Sequence, residues 1–280
     1  MIRTTFRREL APDRHLRGDV RIPDGPPPRS AILVVHGFKG FKDWGFFPYV
    51  ADRLAASGHA VVSFNFSGSG IGSNPGDFTE LEAFARNTLS RELEELARVT
   101  ELTCSGEILP RPPRSLGLLG HSRGGGDAIL HAASEPRVGA LVTWSALSSF
   151  DRWTEETRRE WRESGRIYVI NSRTGQHMPL DVTLLEDFEA NRERLDLEKA
   201  AASVTAPWLI VHGRDDLTVD VGAAATFGRL APGSRILIVA GAGHTYESRH
   251  PFEGTTRQLT EALDATVGHF ARHLGQDTSV

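Results

Sequence analysis

Cysteine is almost absent: Cys104 is alone in 280 residues. One cysteine excludes an intrachain disulfide framework and any Cys-rich zinc site, and it suits a reducing compartment. Long apolar runs are missing too, since no stretch reaches the 18 or so residues of a spanning helix. The start, MIRTTFRRELAPDRH, places Arg3, Arg7 and Arg8 before no apolar stretch. No signal peptide is therefore expected, and the simplest expectation is a soluble cytoplasmic protein. Basic excess is also lacking: 32 Lys plus Arg against 36 Asp plus Glu gives a net charge of −4, which argues against a nucleic-acid partner. No His, Cys, Asp or Glu cluster has metal spacing, so no metal is expected. Internal repeats and low-complexity tracts are absent. What remains, 39% hydrophobic and 24% charged residues, is a globular balance. It excludes a disordered or coiled-coil chain.

Six short segments read as buried strands because each is almost continuously apolar and rich in branched residues. They are Ala31–Val35, Ala60–Phe66, Leu116–Leu119, Ala140–Trp144, Trp208–Val211 and Arg235–Val239. Helical spacing lies between and after them, over Phe46–Ser57, Leu81–Leu102, Gly124–Ala133, Gly222–Leu230 and Thr255–Leu274. Strand and helix in alternation imply βαβ units and a mostly parallel sheet with helices on both faces. Residues 1–25 suit an antiparallel edge. The expected unit is one domain spanning 1–280.

One region breaks the rhythm. Asp151 to Lys199 holds 21 charged residues in 49, with Trp153 and Trp161 among them and a polar stretch, NSRTGQHMP, in the middle. Solvated helices would explain it. So would a helical cap over a site, and residues 148–203 are expected to form such a cap within the domain.

The most informative motif is Gly120-His121-Ser122-Arg123-Gly124, between the strand SLGLL and the helical stretch GGDAILHAA. A serine here sits in a strained turn, and glycines on either side let strand and helix approach. Its hydroxyl is pushed out above the sheet. The helix start then turns backbone N–H groups towards any negative charge that develops there. The neighbouring Ser67-Gly68-Ser69-Gly70-Ile71-Gly72 lacks both the lysine and the spacing of nucleotide loops. It reads as a loop near the mouth of the site.

With these residues in view the chain resembles the α/β-hydrolase superfamily. Within it, the chain is similar to small serine esterases related to cinnamoyl and feruloyl esterases and to dienelactone-hydrolase-like proteins. The matching residues are His36-Gly37-Phe38, Ser63 to Gly68, Gly120 to Gly124, His212-Gly213-Arg214-Asp215-Asp216 and Gly241-Ala242-Gly243-His244, across roughly residues 30–274. The resemblance implies a nucleophile, Ser122, and a base, His244, in the loop after the sixth strand, with His250 a weaker candidate. Its His-Gly-x-x-Asp pattern implies Asp216 as the acid, with the adjacent Asp215 as the alternative. It also implies an oxyanion hole from the N–H groups of Phe38 and Arg123. His36, His121 and His212 are expected to have supporting roles.

The expected function is a cofactor-free carboxylic ester hydrolase working through an acyl-enzyme. Phe38, Phe41, Trp44 and Phe46 near the oxyanion loop, with Trp153 and Trp161, suit a small or aromatic acyl group. Two alternatives stay open. One is an acyl-peptide or aminopeptidase-like hydrolase with the same triad, separable by comparing ester with amide turnover. The other is a non-catalytic binding module on the same fold, which would be expected to lose at least one triad member, whereas all three positions are filled here. The expected partner is a small-molecule ester, with no membrane or nucleic acid. A homodimer is compatible with a fold of this size.

Overall fold

The computed structural model describes residues 1–72, 74 and 76–275, so the last five residues of the expected domain lie outside the description. Its main sheet has eight strands. In chain order they are β1 (Ile2–Ala11), β2 (Arg14–Ile22), β3 (Ser30–Val35), β4 (Ala60–Asn65), β5 (Ser115–His121), β6 (Val138–Trp144), β9 (Trp208–Gly213) and β10 (Arg235–Val239). Their spatial order is β1-β2-β4-β3-β5-β6-β9-β10. The last six run parallel, while β1 and β2 form the expected antiparallel edge.

The apolar runs form strands because both sheet faces are covered. Along β3, Ile32 and Val34 enter one layer of core, while Ala31, Leu33 and Val35 enter the other. That is the two-residue period of a strand buried on both sides. One layer is built with α1 (Phe47–Ala56) and α9 (Arg257–Leu274), and includes Phe46, Trp144, Leu263 and Phe270. The opposite layer is built with α3 (Leu89–Cys104), α4 (Arg123–Ser134), α7 (Leu197–Ser203) and α8 (Gly222–Leu230). Among the described residues no helix is long and apolar enough to cross a membrane.

Two expectations about elements are revised. The single helix over Leu81–Leu102 is two helices, α2 (Leu81–Ala85) and α3. The break falls at Thr88, whose hydroxyl accepts the Arg91 N–H and restarts the helix as an N-cap. The charged region after β6 is not all helical. Between α5 (Glu155–Ser164) and α6 (Thr183–Ala190) it folds as a hairpin of β7 (Arg166–Ile170) and β8 (His177–Asp181). The run RIYVI carries the β-branched and aromatic residues a strand prefers, and Gly175 adopts a positive φ in the turn.

Hairpin and scaffold are tied at several points. Arg166 is forked onto Glu82 with two bonds of 2.9 Å, and Gln176 Nε2 donates to Phe78 O at 3.0 Å. Lys39 Nζ donates to Ile170 O at 3.0 Å.

Phe270 is fully buried in the α9 layer. Phe270→Ala is expected to lower stability by about 3–5 kcal/mol. The urea midpoint should drop while the slope stays constant; an unchanged midpoint would contradict the packing described here.

Candidate active site

The loops that follow β3, β5, β9 and β10 leave the sheet at one edge, the carboxyl ends of the parallel strands, where open α/β sheets gather ligands. Ser122 follows β5 directly. Its backbone has φ 58° and ψ −121°, a conformation that costs a non-glycine residue about 1–3 kcal/mol. The turn is clamped from several sides. Ser122 N donates to Trp144 O at 2.9 Å, and Ser122 O accepts from Gly125 N at 3.0 Å. A side chain at Gly124 would meet the His36 carbonyl at 2.3 Å, and one at Gly37 would meet Ser122 Cβ at 2.9 Å. Strand–turn–helix and the loop after β3 can therefore close on each other only with glycine at these two positions.

The structure brings Ser122, His244 and Asp216 into one hydrogen-bonded chain. His244 Nδ1–H donates to Asp216 Oδ2 at 2.8 Å, and the Ser122 hydroxyl donates to His244 Nε2 at 3.0 Å. The carboxylate can only accept, which places the imidazole proton on Nδ1 and leaves Nε2 as a proton acceptor. Asp216 Oδ1 accepts the N–H groups of Thr218 and Val219 at 2.8 and 2.9 Å. Burial by itself would push this carboxyl up. The hydrogen bond and charge of His244, with the two amides, outweigh burial and hold it at about 2. Asp216 is therefore ionised at neutral pH.

Asp215, the alternative acid, points outward: its side chain is exposed while its N–H donates to Ala242 O at 2.9 Å. His250 lies apart from the chain of three. Its Nδ1 accepts the Gly45 N–H at 2.9 Å and its ring stacks on Trp44.

Three further histidines hold the loops. His36 accepts Phe66 N–H at Nε2 and donates from Nδ1 to Gly37 O. His121 Nε2–H donates to the carbonyl of His244 at 2.9 Å, tying the His244 backbone to β5. His212 Nε2–H donates to Val219 O at 3.0 Å and fixes the turn that carries Asp216. Burial lowers all three, His36 to about 4 and His121 to about 3. They are neutral at pH 7 and spend their protons on carbonyls.

Arg123 opens α4, so its N–H is among the donors that an α-helix leaves free at its start. Phe38 directly follows Gly37 in the loop that abuts Ser122. The Arg123 guanidinium lies 4.2 Å from the centre of the Phe38 ring and 3.7 Å from Glu92 Oε1. Beneath it, Glu92 and Asp127 are buried, and both Asp127 oxygens are without a hydrogen-bond partner among the described residues. Burial, with Glu92 beside it, raises Asp127 well above the usual carboxylate range.

A cavity of about 180 Å³ opens beside Ser122, His121 and His244. Phe38, Lys39, Trp44 and Phe47 wall it on the β3 side, and Asn171, Ser172 and Arg173 of the hairpin turn wall it on the other. A larger cavity of about 510 Å³ touches Trp208 and Arg235, at the opposite ends of β9 and β10, and none of the site residues. Size does not locate the chemistry in this molecule.

The expected aromatic lining is redistributed. Phe41 and Phe46 are fully buried core residues. Trp161 is buried with Nε1–H on Leu180 O, and Trp153 packs against Trp161 and Phe188. Both tryptophans stabilise the inserted segment rather than line the cavity. Ser67–Gly72 is also buried away from it. Ser67 N donates to Glu95 Oε2 at 2.8 Å, and the Asn87 side chain sits against Gly68. Lys39 escaped sequence reading, and the hairpin-turn residues stood there only within the polar stretch NSRTGQHMP of the expected cap. A Thr-Gly pair after a β-branched run was the signal for a turn in it.

Asp216 sits below its ordinary value of 3.8 when folded. Its stabilisation is therefore present above about pH 4 and is lost as pH falls towards 2. Wild-type protein is expected to lose more melting temperature between pH 5 and 2 than Asp216→Asn does. Equal losses in the two proteins would refute the assigned hydrogen bonds.

Comparison with known proteins places this chain in a family. The family model described as alpha/beta hydrolase family matches residues 32–258. Among curated proteins, 2,6-dihydropseudooxynicotine hydrolase of Paenarthrobacter nicotinovorans is 26% identical over 201 residues, 70% of this chain and 47% of that protein. The chain thus spans about half the length of that relative. Est1E from Butyrivibrio proteoclasticus superposes with a TM-score of 0.69 at 17% identity, covering 97% of this chain and 99% of the other. A soluble variant of monoglyceride lipase from Saccharomyces cerevisiae gives 0.73 at 16% identity, covering 96% and 95%. At those identities the superpositions speak for the fold. With the family model matched over most of its length, the chain belongs to the alpha/beta hydrolase family.

Proposed function

We propose that this hydrolase is a serine carboxylic ester hydrolase acting on a small or aromatic ester. The observation that carries the reading is the Asp216–His244–Ser122 chain, with bonds of 2.8 and 3.0 Å. Ser122 Oγ attacks the ester carbonyl while His244 Nε2 takes its proton. Ionised Asp216 stabilises the resulting imidazolium and keeps its orientation. The carbonyl oxygen becomes an oxyanion that accepts from the Phe38 and Arg123 N–H groups, each donor being worth about 3–4 kcal/mol. The intermediate collapses, the C–O bond breaks, and the alcohol leaves with the proton from His244. Water then gives a proton to His244 and attacks the acyl-enzyme, releasing the acid and restoring Ser122.

The cavity supports the substrate size. A cavity of roughly 150 Å³ holds one benzene ring, and this one has about 180 Å³ beside Trp44 and Phe47. Est1E, in its solved complex, holds ferulic acid, an aromatic acid of the same broad class. Residues 148–203 act as a cap in this reading, contributing the hairpin turn at Asn171–Arg173 as one wall.

The test is labelling with a fluorophosphonate, followed by peptide mass spectrometry. A single adduct on Ser122, absent from Ser122→Ala, is expected. Asp216→Asn should lower kcat by about 10⁴-fold, as loss of the triad acid does elsewhere, while Asp215→Asn changes it only a few-fold. An adduct on another residue, or none on folded protein, would overturn the reading. A larger loss from Asp215→Asn would remove Asp216 from its role.

A further inference from the structure

We propose that the Ser122 cavity is built for an ester that also carries a carboxylate, with Lys39 and Arg173 as its counter-charges. This deepens the ester-hydrolase reading and rests on it. Lys39 is the starting point. It is half-buried, its backbone is left-handed at φ 56°, and its Nζ reaches across the cavity from the β3 loop to Ile170 O at 3.0 Å. An L-residue is strained in that conformation, and the ammonium meets only neutral groups there, the Ile170 carbonyl and, at 5.7 Å, the Phe38 ring. Among the described residues Lys39 has no carboxylate within ion-pair distance, and neither does Arg173 on the facing hairpin turn. Arg173 is exposed at the turn, spends one N–H on Gly76 O at 3.0 Å and lies 6.0 Å from the centre of the Phe41 ring. Strain and unpaired charge gathered at a site are grounds for a functional hypothesis.

The other charged groups nearby are already engaged. Arg123 faces Glu92, and Asp43 is bound to Lys42. Asp216 is occupied by His244 and two amides. His121 and His250 are both lowered by burial and carry no charge at pH 7. Among the described residues no Asp or Glu lines the cavity. Asn171, only 6% exposed, lines it too; its Oδ1 takes the Arg173 backbone N–H at 3.1 Å, and its buried Nδ2 has no acceptor among the described residues. The cavity wall therefore offers two cations and, among the described residues, no acid to match them, and a carboxylate is a group that would do so. The volume leaves room for one ring or a short chain beside it.

The carboxylate can belong to the acyl half or to the alcohol half of the ester, and substrates separate the two. Monophenyl glutarate carries it on the acyl side and is matched by neutral phenyl butyrate. 4-Acetoxybenzoate carries it on the alcohol side and is matched by neutral phenyl acetate. One anionic ester should exceed its neutral match in kcat/KM by roughly tenfold or more. Lys39→Met and Arg173→Gln should each reduce that ratio several-fold, Lys39→Arg should restore it, and 0.5 M salt should shrink it. Benzoate should also bind Ser122→Ala protein about tenfold more tightly than benzamide by calorimetry, and Lys39→Met should erase the difference. Ratios near one for both anionic esters, with equal binding of benzoate and benzamide, would overturn the proposal. If the fluorophosphonate leaves no adduct and no ester turns over, the hydrolase reading fails. The benzoate comparison then still decides whether the cavity selects a carboxylate.

Discussion

The turn at Ser122 is the constraint on which the site depends. A chain cannot pass from a central strand into a helix within one residue without placing that residue in a sparsely populated backbone conformation. Ser122 holds φ 58° because the β6 end, the α4 start and the β3 loop press on it together. The same contacts bring the Phe38 loop against the first turn of α4. Strain at one serine and the pairing of two loops distant in sequence are thus one packing event. Core burial across both sheet faces stabilises it.

Electrostatically the site is organised by withholding charge. His36, His121 and His212 are buried and neutral, and each donates to a carbonyl that shapes a loop. A protonated His121 or His212 would add a cation beside His244 and compete for Asp216. Keeping them neutral leaves the Asp216 carboxylate directed at His244 Nδ1. On the other side of Ser122, Arg123 spans the Phe38 ring and the buried Glu92, with Asp127 beneath. That cluster forms the polar foundation of α4, in the interior where charge is hardest to place.

The scaffold and the cavity walls obey different rules. The sheet and its two core layers align with solved hydrolases at under 20% identity because many apolar sequences fill the same layers. The walls come from the loop after β3 and from the turn of an inserted hairpin. Loops of this kind change chemistry without disturbing the core. For that reason fold alone says little about substrate, and the proposed carboxylate preference rests instead on Lys39 and Asn171–Arg173, which line the cavity.

The sequence by itself determined the sheet, because two-sided burial writes itself as short apolar runs, and it determined the strand–turn–helix at Ser122, because those residues are neighbours in the chain. It misread Leu81–Leu102 as one helix, since a single threonine cap outweighs a continuing helical period. It also missed the β7–β8 hairpin inside a charge-rich segment. Tertiary structure decided what needs distance to be seen. Asp216, not the adjacent Asp215, faces His244, because its Oδ1 is anchored by the turn amides of Thr218 and Val219. Trp153 and Trp161 turn inward to support the insertion, while Trp44 and Phe47 face the cavity. That Lys39 meets a carbonyl and a ring but no carboxylate among the described residues is invisible in a sequence whose total charges nearly balance. Only the folded chain shows which carboxylates are already taken.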